Sequence, residues 1–449
     1  MDSSLLAKYD QRVPRYTSYP TAPHFSSKVK AEAYRQWLTE LDPGLPLSLY
    51  VHIPFCDSLC WFCGCHTKIV RRHAPIGAYL ELLLKEIELV ADLLGSRREV
   101  SHLHLGGGTP TILEPDEFQR LFDVLRRRFA FRSDAEIAVE SDPRGLDLNL
   151  VDAMAAAGVN RASLGVQDID PKVQRAVNRV QPLGVTKRAA EALRAAGISS
   201  INIDLMYGLP HQTVTRVLAT IEAVLTLAPE RICLFGYAHV PWMKSHQRLI
   251  DESALPGPAE RLAQYLAAAQ RLQDAGYVWI GLDHFALPKD ALAIAAREGG
   301  LHRNFQGYTT DDAPVRLGFG PSAIGTLPRG YVQNSAPMQV YRDTVEAGQL
   351  PIARGLVLDD DDRLRAAVIE RLMCDLQVDL GEVCKGFGRD AGVFAEEVAG
   401  LSALTADGLV ELGDKIVRIT VQGRPFVRMV CAGFDSYIRT GNERLATAV

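Results

Sequence analysis

A chain of 449 residues with a formal charge of −5 is long enough for one large core and a smaller appendage, and 47% of it is hydrophobic. Lys and Arg make no long run, the densest being "LRRRF" at 125–129, which reads as the solvated end of a helix and argues against a nucleic-acid partner. No apolar stretch approaches the ~20 residues that span a bilayer, and the N-terminus has no charged segment leading into an apolar one, so the expectation is a cytoplasmic protein without a membrane partner.

In chain order, the first 45 residues lack strong periodicity and contain "RVPRYTSYPTAP", so 1–45 read as an extended arm. "LSLYVHIPF" (47–55) reads as a buried strand that enters a cysteine-rich loop, and "IGAYLELLLKEIELVADLL" (76–94) has apolar residues at helical spacing. The strand–helix unit then recurs. Further strands are expected at 100–108, 135–143, 161–167, 200–208 and 231–240, with amphipathic segments such as "EFQRLFDVLRRRF" and "TKRAAEALRAAG" between them. Parallel strands need crossover connections, so this alternation predicts an α/β fold with a parallel sheet, an open or closed barrel. Polar residues at the strand ends put the site at the C-terminal edge. A helix at 259–276 precedes a stretch where the alternation fades, and the barrel with its extension is expected over 46–355. From 356 to 449 a strong helix, further helical segments and a possible hairpin suggest a small, mainly helical, winged-helix-like domain. The acidic run 359–362 fits the first turn of that helix, where negative charge suits the dipole.

Half of the eight cysteines lie in "CDSLCWFCGC" (56–65). In a reducing compartment that clustering points to metal or catalysis rather than disulfides. Neighbours so close are also hard to bridge in good geometry. Structural zinc takes two separated ligand pairs, and no second pair follows at a matching distance. A ferredoxin-type cluster needs a fourth thiolate. Cys56, Cys60 and Cys63, spaced C-x3-C-x2-C, suit a cubane that keeps one iron open for catalysis. Cys233, Cys374, Cys384 and Cys431 read as small core residues in apolar surroundings. His52 reads as a satisfied core histidine, and Asp142, Pro143 and Arg144 as a strand-end turn.

This spacing resembles that of radical S-adenosylmethionine (SAM) enzymes. "YVHIPFC", "LCWFCGCHTKIVRR", "LHLGGGTPT", "NIDLMYGLP", "GYAHVPWMK" and "LHRNFQGYTT", from the "RYTSYPTA" arm to "GFDSYIRT", further resemble the oxygen-independent coproporphyrinogen III dehydrogenase family of heme biosynthesis over nearly the whole chain. The resemblance implies a radical SAM partial (β/α)6 barrel. It also implies one 4Fe-4S cluster on Cys56, Cys60 and Cys63, and two SAM molecules. Tyr50, Gly107, Glu140 and Ile324 match positions that hold the first SAM; Phe62, Gly108, Thr109, Gln167, Arg179, Asp204 and Ala238 match those of the second. The implied reaction starts with hydrogen abstraction from a propionate β-carbon by the 5′-deoxyadenosyl radical. Loss of CO2 and an electron then leaves a vinyl group, twice per coproporphyrinogen III, giving protoporphyrinogen IX. An electron donor such as flavodoxin or ferredoxin and an unknown acceptor are the implied partners of a monomeric enzyme. Cys65, outside the C-x3-C-x2-C ligands, is expected to serve the reaction rather than the metal, and Arg15 and Arg303 are candidates for substrate carboxylates.

Three other functions compete. A heme-binding chaperone paralogue would typically carry an aromatic residue at position 65 and lack the arm. An electron carrier would need a fourth cluster ligand. A radical SAM enzyme for another substrate would share the superfamily motifs.

Overall fold

The computed structural model describes residues 3–438. Twelve strands make its main sheet. They are β1 (Leu47–Ile53), β2 (Glu99–Gly107), β3 (Ala130–Ser141), β4 (Arg161–Gln167), β5 (Ser200–Tyr207) and β6 (Arg231–Gly236), then β7 (Val278–Ile280), β8 (His284–Ala286), β9 (Val315–Phe319), β10 (Ile324–Leu327), β11 (Gly330–Asn334) and β12 (Ile352–Val357). Their order is β12-β11-β10-β9-β1-β2-β3-β4-β5-β6-β8-β7. The strands from β1 to β6 run parallel, each followed by helix, as the alternating pattern predicts. The result is a partial α/β barrel.

The sheet departs from the sequence reading at its β1 edge. There β9 adds a seventh parallel strand, pairing Tyr50 with Gly318, before antiparallel β10 to β12 extend the edge. "VRLGF" is five residues long and pairs with a strand some 270 positions earlier, so no local pattern announces it.

The outer helices are placed by local signals. Pro115–Arg128 opens on a capping box between Glu114 and Glu117, with Pro at its start, and ends on Arg126, Arg127 and Arg128. These arginines complement the C-terminal end of the dipole, and two of them, Arg127 and Arg128, pair with Glu88 and Asp92 of the helix Ala74–Leu94. The basic run at 125–129 is a helix end, as expected.

The first 45 residues hold two helices, Ser3–Tyr9 and Ala31–Thr39, and only the segment between them is extended apart from a short turn at Ala22–His24. That segment crosses to the chain's other end. The Tyr16 hydroxyl donates to Asp435 (3.0 Å), Tyr19 bonds Ser436 (3.0 Å), and Arg303 donates to the Tyr16 carbonyl (3.2 Å). Beyond the sheet, helix Asp360–Asp375, strand Gln377–Asp379, a run of short helices and a hairpin of Val410–Leu412 with Ile416–Ile419 follow in the order of a winged helix. The first of these strands pairs with the last, Val378 opposite Val417. Asp359 caps the long helix together with Asp362; Asp360 and Asp361 stay solvated, whereas Asp362 is buried and accepts from Tyr437 (3.0 Å).

One buried carboxylate holds the seventh strand in place. Glu86, on the helix Ala74–Leu94, accepts from the Gly320 amide (2.8 Å), the Tyr341 hydroxyl (2.6 Å) and the Asn334 amide (2.6 Å). These donors lie just past β9, on a following helix and at the end of β11. Burial pushes the Glu86 carboxyl up to about 7 against the pull of the three donors. A folded-state value above the unfolded 4.5 means that the ionised form is disfavoured on folding, so the stability from this group declines as pH rises from about 4.5 to 7. Near pH 5 the folded carboxyl is protonated and carries one donor, so Glu86→Gln, which adds a second among the three existing donors, is expected to lower stability by about 1–3 kcal/mol. The gap to wild type should narrow at pH 8; thermal denaturation at both pH values measures it, and a gap that widens instead would contradict the assignment.

Candidate active site

The loop that leaves β1 has almost no regular structure of its own, so its polar backbone is satisfied by its surroundings. Lys68 donates to the Pro54 carbonyl (2.7 Å) and Val70 to that of Cys56 (3.1 Å). From β2, Gly108 donates to Ile53 and Thr109 to Phe55, both at 2.8 Å. Asn178 reaches the Leu59 carbonyl (2.8 Å), and the Trp61 amide donates to Val177 (3.0 Å). After β6, Lys244, His246 and Gln247 donate to the carbonyls of Cys65 (2.9 Å), Cys63 (2.7 Å) and Phe62 (3.0 Å). The segment 238–247 is thus a strap across the cysteine loop.

All three spaced thiols receive donors. Thr67 approaches Cys56 Sγ at 3.4 Å, and the Cys65 amide lies 3.4 Å from Cys63 Sγ. Two guanidiniums reach Cys60 Sγ: Arg179 Nη1 at 3.3 Å and Arg144 Nη2 at 3.5 Å. Asp142 holds both arginines, at 3.0 and 2.6 Å. Burial opposes ionisation of Asp142, but the Arg144 hydrogen bond and the Arg179 charge outweigh it and keep the carboxyl below its ordinary range. Donors and cations aimed at sulfur stabilise thiolates. Among the described residues no three ligands converge on one point as a single metal ion requires. Three thiols on one loop, each with a donor of its own, are the ligand type that an iron–sulfur cluster takes.

Each glycine of "GGG" meets a different neighbour. A Cβ on Gly106 would lie 2.9 Å from the Glu140 carboxyl, and one on Gly108 2.4 Å from the Phe55 carbonyl. Gly107 has φ +115° and faces the His52 ring. Its amide donates to Glu140 Oε2 (3.2 Å), while His104 bonds Oε1 (2.9 Å). Burial would raise the Glu140 carboxyl, yet the bond and charge of His104 and the Gly107 amide bring it below its usual value, so it is ionised. Tyr50 bonds His52, whose other nitrogen meets the His66 carbonyl (both 2.9 Å). Burial drives His52 down to about 4, leaving it neutral, a satisfied buried histidine as expected.

Tyr50, Gly107, Glu140 and Ile324 gather where β9, β1, β2 and β3 adjoin, since Gly318 opposite Tyr50 packs against the Ile324 backbone. Phe62, Gln167, Asp204 and Ala238, with Cys63 and Cys65, line a cavity of about 760 Å³. Gln167 holds φ +70° at the end of β4. Asp204 accepts from Ser163 and Asn202 (both 2.8 Å) and is raised by burial. Gly108, Thr109 and Arg179 are not in that lining; they stand behind the cysteine loop, Thr109 along an outer groove with Asp142 and Arg144. A second cavity of about 600 Å³ shares Arg15, Cys65, Phe235 and Tyr237 with the first and is lined by several more arginines. Arg303 is among them, but its hydrogen bonds go to the carbonyls of Tyr16 (3.2 Å) and Arg15 (3.4 Å), so it anchors the arm that carries Arg15.

Sequence reasoning missed several groups. Asp142 and Arg144 do shape the turn, where Asp142 caps Pro143–Gly145, and they also extend to a cysteine sulfur. Their signal was an acid and a base two residues apart at a strand end. The strap residues carried no signal, because their targets lie some 180 positions earlier. Cys233 is buried in polar rather than apolar surroundings: it donates to Asn202 (3.3 Å) inside the barrel, in a cavity that Asp204 and His284 also line.

The sequence model of the Radical SAM superfamily matches residues 50–224, and that of the HemN C-terminal domain matches 358–426. The oxygen-independent coproporphyrinogen III oxidase of Bradyrhizobium diazoefficiens is 50% identical over 450 residues, covering 100% of both chains. Its Escherichia coli counterpart is 43% identical, over 98% of this chain and 96% of the other. The solved structure titled "Coproporphyrinogen III oxidase (HemN) from Escherichia coli is a Radical SAM enzyme" superposes with a TM-score of 0.90 at 41% identity, covering 95% of this chain and 100% of that one. A likeness of that extent, running through barrel, arm and C-terminal region alike, means that the chain belongs to the oxygen-independent coproporphyrinogen III oxidase family of the radical SAM superfamily.

Proposed function

We propose that this chain converts two propionates of coproporphyrinogen III to vinyl groups without oxygen, giving protoporphyrinogen IX in heme biosynthesis. The observation that carries the reading is the junction of two cavities at Cys65. One is lined by Cys63, Gln167 and Asp204, the other by arginines suited to a substrate with four carboxylates. The superfamily works with a 4Fe-4S cluster and SAM. Here Cys56, Cys60 and Cys63 would hold the cluster, and when bound these cofactors supply a hydrogen-abstracting carbon radical.

The protein's own residues position and insulate. Arg144 and Arg179 donate to Cys60 Sγ, Thr67 to that of Cys56 and the Cys65 amide to that of Cys63, while burial pushes the Cys56 thiol up to about 11. Ionised Glu140 and the Gly107 backbone would receive the amino end of the first SAM, with Tyr50 and Ile324 beside them. Asp204, Gln167, Phe62 and Ala238 would hold the second SAM in the larger cavity, while Gly108, Thr109 and Arg179 support it from behind the loop. Cys65 lines both cavities and would position substrate or take part in proton or electron transfer. Flavodoxin or ferredoxin as donor and a monomeric state belong to the same proposal. So does the division into an arm (1–45), a catalytic barrel (46–355) and a C-terminal domain (356–449). No helix among the described residues is long and apolar enough to cross a membrane.

Three substitutions test these roles under anaerobic conditions. Cys60→Ala should lose the cluster's visible absorption and SAM cleavage together; full iron and sulfide content in that variant would remove Cys60 from the ligands. Asp204→Ala should keep its iron but lower SAM stoichiometry in equilibrium binding, and a single SAM in wild type and variant alike would refute the second site. Cys65→Ser should keep iron and SAM binding yet lose most vinyl formation. Loss of iron there would make Cys65 a ligand, and unchanged turnover would make it packing.

A further inference from the structure

The 600 Å³ cavity carries an unusual surplus of positive charge. Arg12, Arg15, Arg261, Arg303 and Arg428 line it against two carboxylates, Asp10 and Asp283. Asp283 is already engaged by His284 (2.8 Å). Burial opposes its ionisation, but that bond and the charges of His284, Arg303 and Arg15 hold it at about 2, so it remains a fixed anion deep in the site. Among the described residues Arg12, Arg15, Arg261 and Arg303 form no ion pair. Arg303 is committed to the arm's carbonyls. Arg12 and Arg261 instead lie over aromatic rings, 5.6 Å from the centre of Trp242 and 5.7 Å from that of Tyr207. Ring stacking orients a guanidinium and leaves its N–H edge available. The crowding has a cost: burial first, then the neighbouring Arg15, draws Arg428 down to about 10. Like charges are retained in one cavity when a ligand of opposite charge completes it.

We propose that Arg12, Arg15 and Arg261 form a carboxylate clamp that seats the unreacted propionates of the tetrapyrrole, with Arg12 and Arg15 supplied by the N-terminal arm. The assignment rests on the substrate reading above and adds the specificity-determining residues to it. Geometry separates the roles. Arg303 holds the arm down, and the arm presents Arg15 to both cavities, beside Cys65. A propionate anchored on Arg12 and Arg261 lets another edge of the macrocycle reach past Cys65 toward the cavity that Gln167 and Asp204 line. Two propionates of the substrate are retained in the product, so the clamp holds groups that the reaction never consumes.

The test uses the full-length holoenzyme with coproporphyrinogen III. KM and kcat are compared for wild type, Arg15→Gln, Arg261→Gln and Arg261→Lys, with cluster iron as the folding control. Losing one charge-assisted contact should raise KM for coproporphyrinogen about ten- to hundredfold, with KM for SAM unmoved. Arg261→Lys should recover part of the loss, since the charge remains and the fork is gone. Wild-type KM should also rise with salt more steeply than that of either Gln variant. Arg15 is exposed, so its substitution leaves packing intact and decides the matter should Arg261→Gln lose iron. Unchanged KM for coproporphyrinogen in Arg15→Gln, or an equal rise in KM for SAM, overturns the clamp while the proposed reaction stands. A wild-type enzyme that turns over no coproporphyrinogen overturns both.

Discussion

Everything in this molecule depends on holding a loop that cannot hold itself. Its two ends pair as the short strands Phe55–Cys56 and Lys68–Ile69, and between them it forms no helix or further ladder. Much of the backbone between these ends is satisfied by β2, by the 177–178 turn and by the strap after β6. A parallel barrel suits this purpose: all its strands end at the same edge, so elements far apart in sequence converge on one loop. The ion pairs of Asp142 with Arg144 and Arg179 extend the same support to the sulfur of Cys60.

Electrostatics divides the site into zones. At the β2–β3 edge an ionised Glu140 is held by His104 and the Gly107 amide. Within β5 a buried Asp204 is raised by desolvation and held by two neutral donors. Farther out, Arg12, Arg15, Arg261 and Arg303, which form no ion pair among the described residues, make the second cavity cationic. The proposed SAM and tetrapyrrole sites thus differ in the sign of charge that their walls present.

The arm and the seventh strand show how remote segments complete the site. Tyr16 and Tyr19 attach the arm to residues 435–436, and Arg303 ties it to the barrel, which fixes Arg15 in the lining of both cavities. Glu86 does comparable work on the other side, drawing donors from three elements onto one carboxylate so that β9 packs beside β1. Tyr50 consequently faces Gly318, and Ile324 comes within reach of the same edge.

Much of this was legible in the linear chain. Six strand–helix alternations appear as buried strands within a few residues of the expected bounds, because apolar periodicity and capping are local properties. The three cysteines and the three glycines could be read for the same reason: ligand spacing and close backbone approach are written in adjacent residues. What adjacency cannot encode was decided only on folding. The parallel pairing of β9, the two helices within the arm, the guanidiniums on Cys60 and the strap from Lys244 to Gln247 all join residues tens to hundreds of positions apart, or depend on packing against them. Arg303 illustrates the division. Its charge was visible in the sequence, but whether that charge met a substrate or the arm's carbonyls depended on where tertiary packing brought residues 15 and 16. Residue type sets the chemistry available to a position, and the fold, through distance and burial, decides which partner receives it.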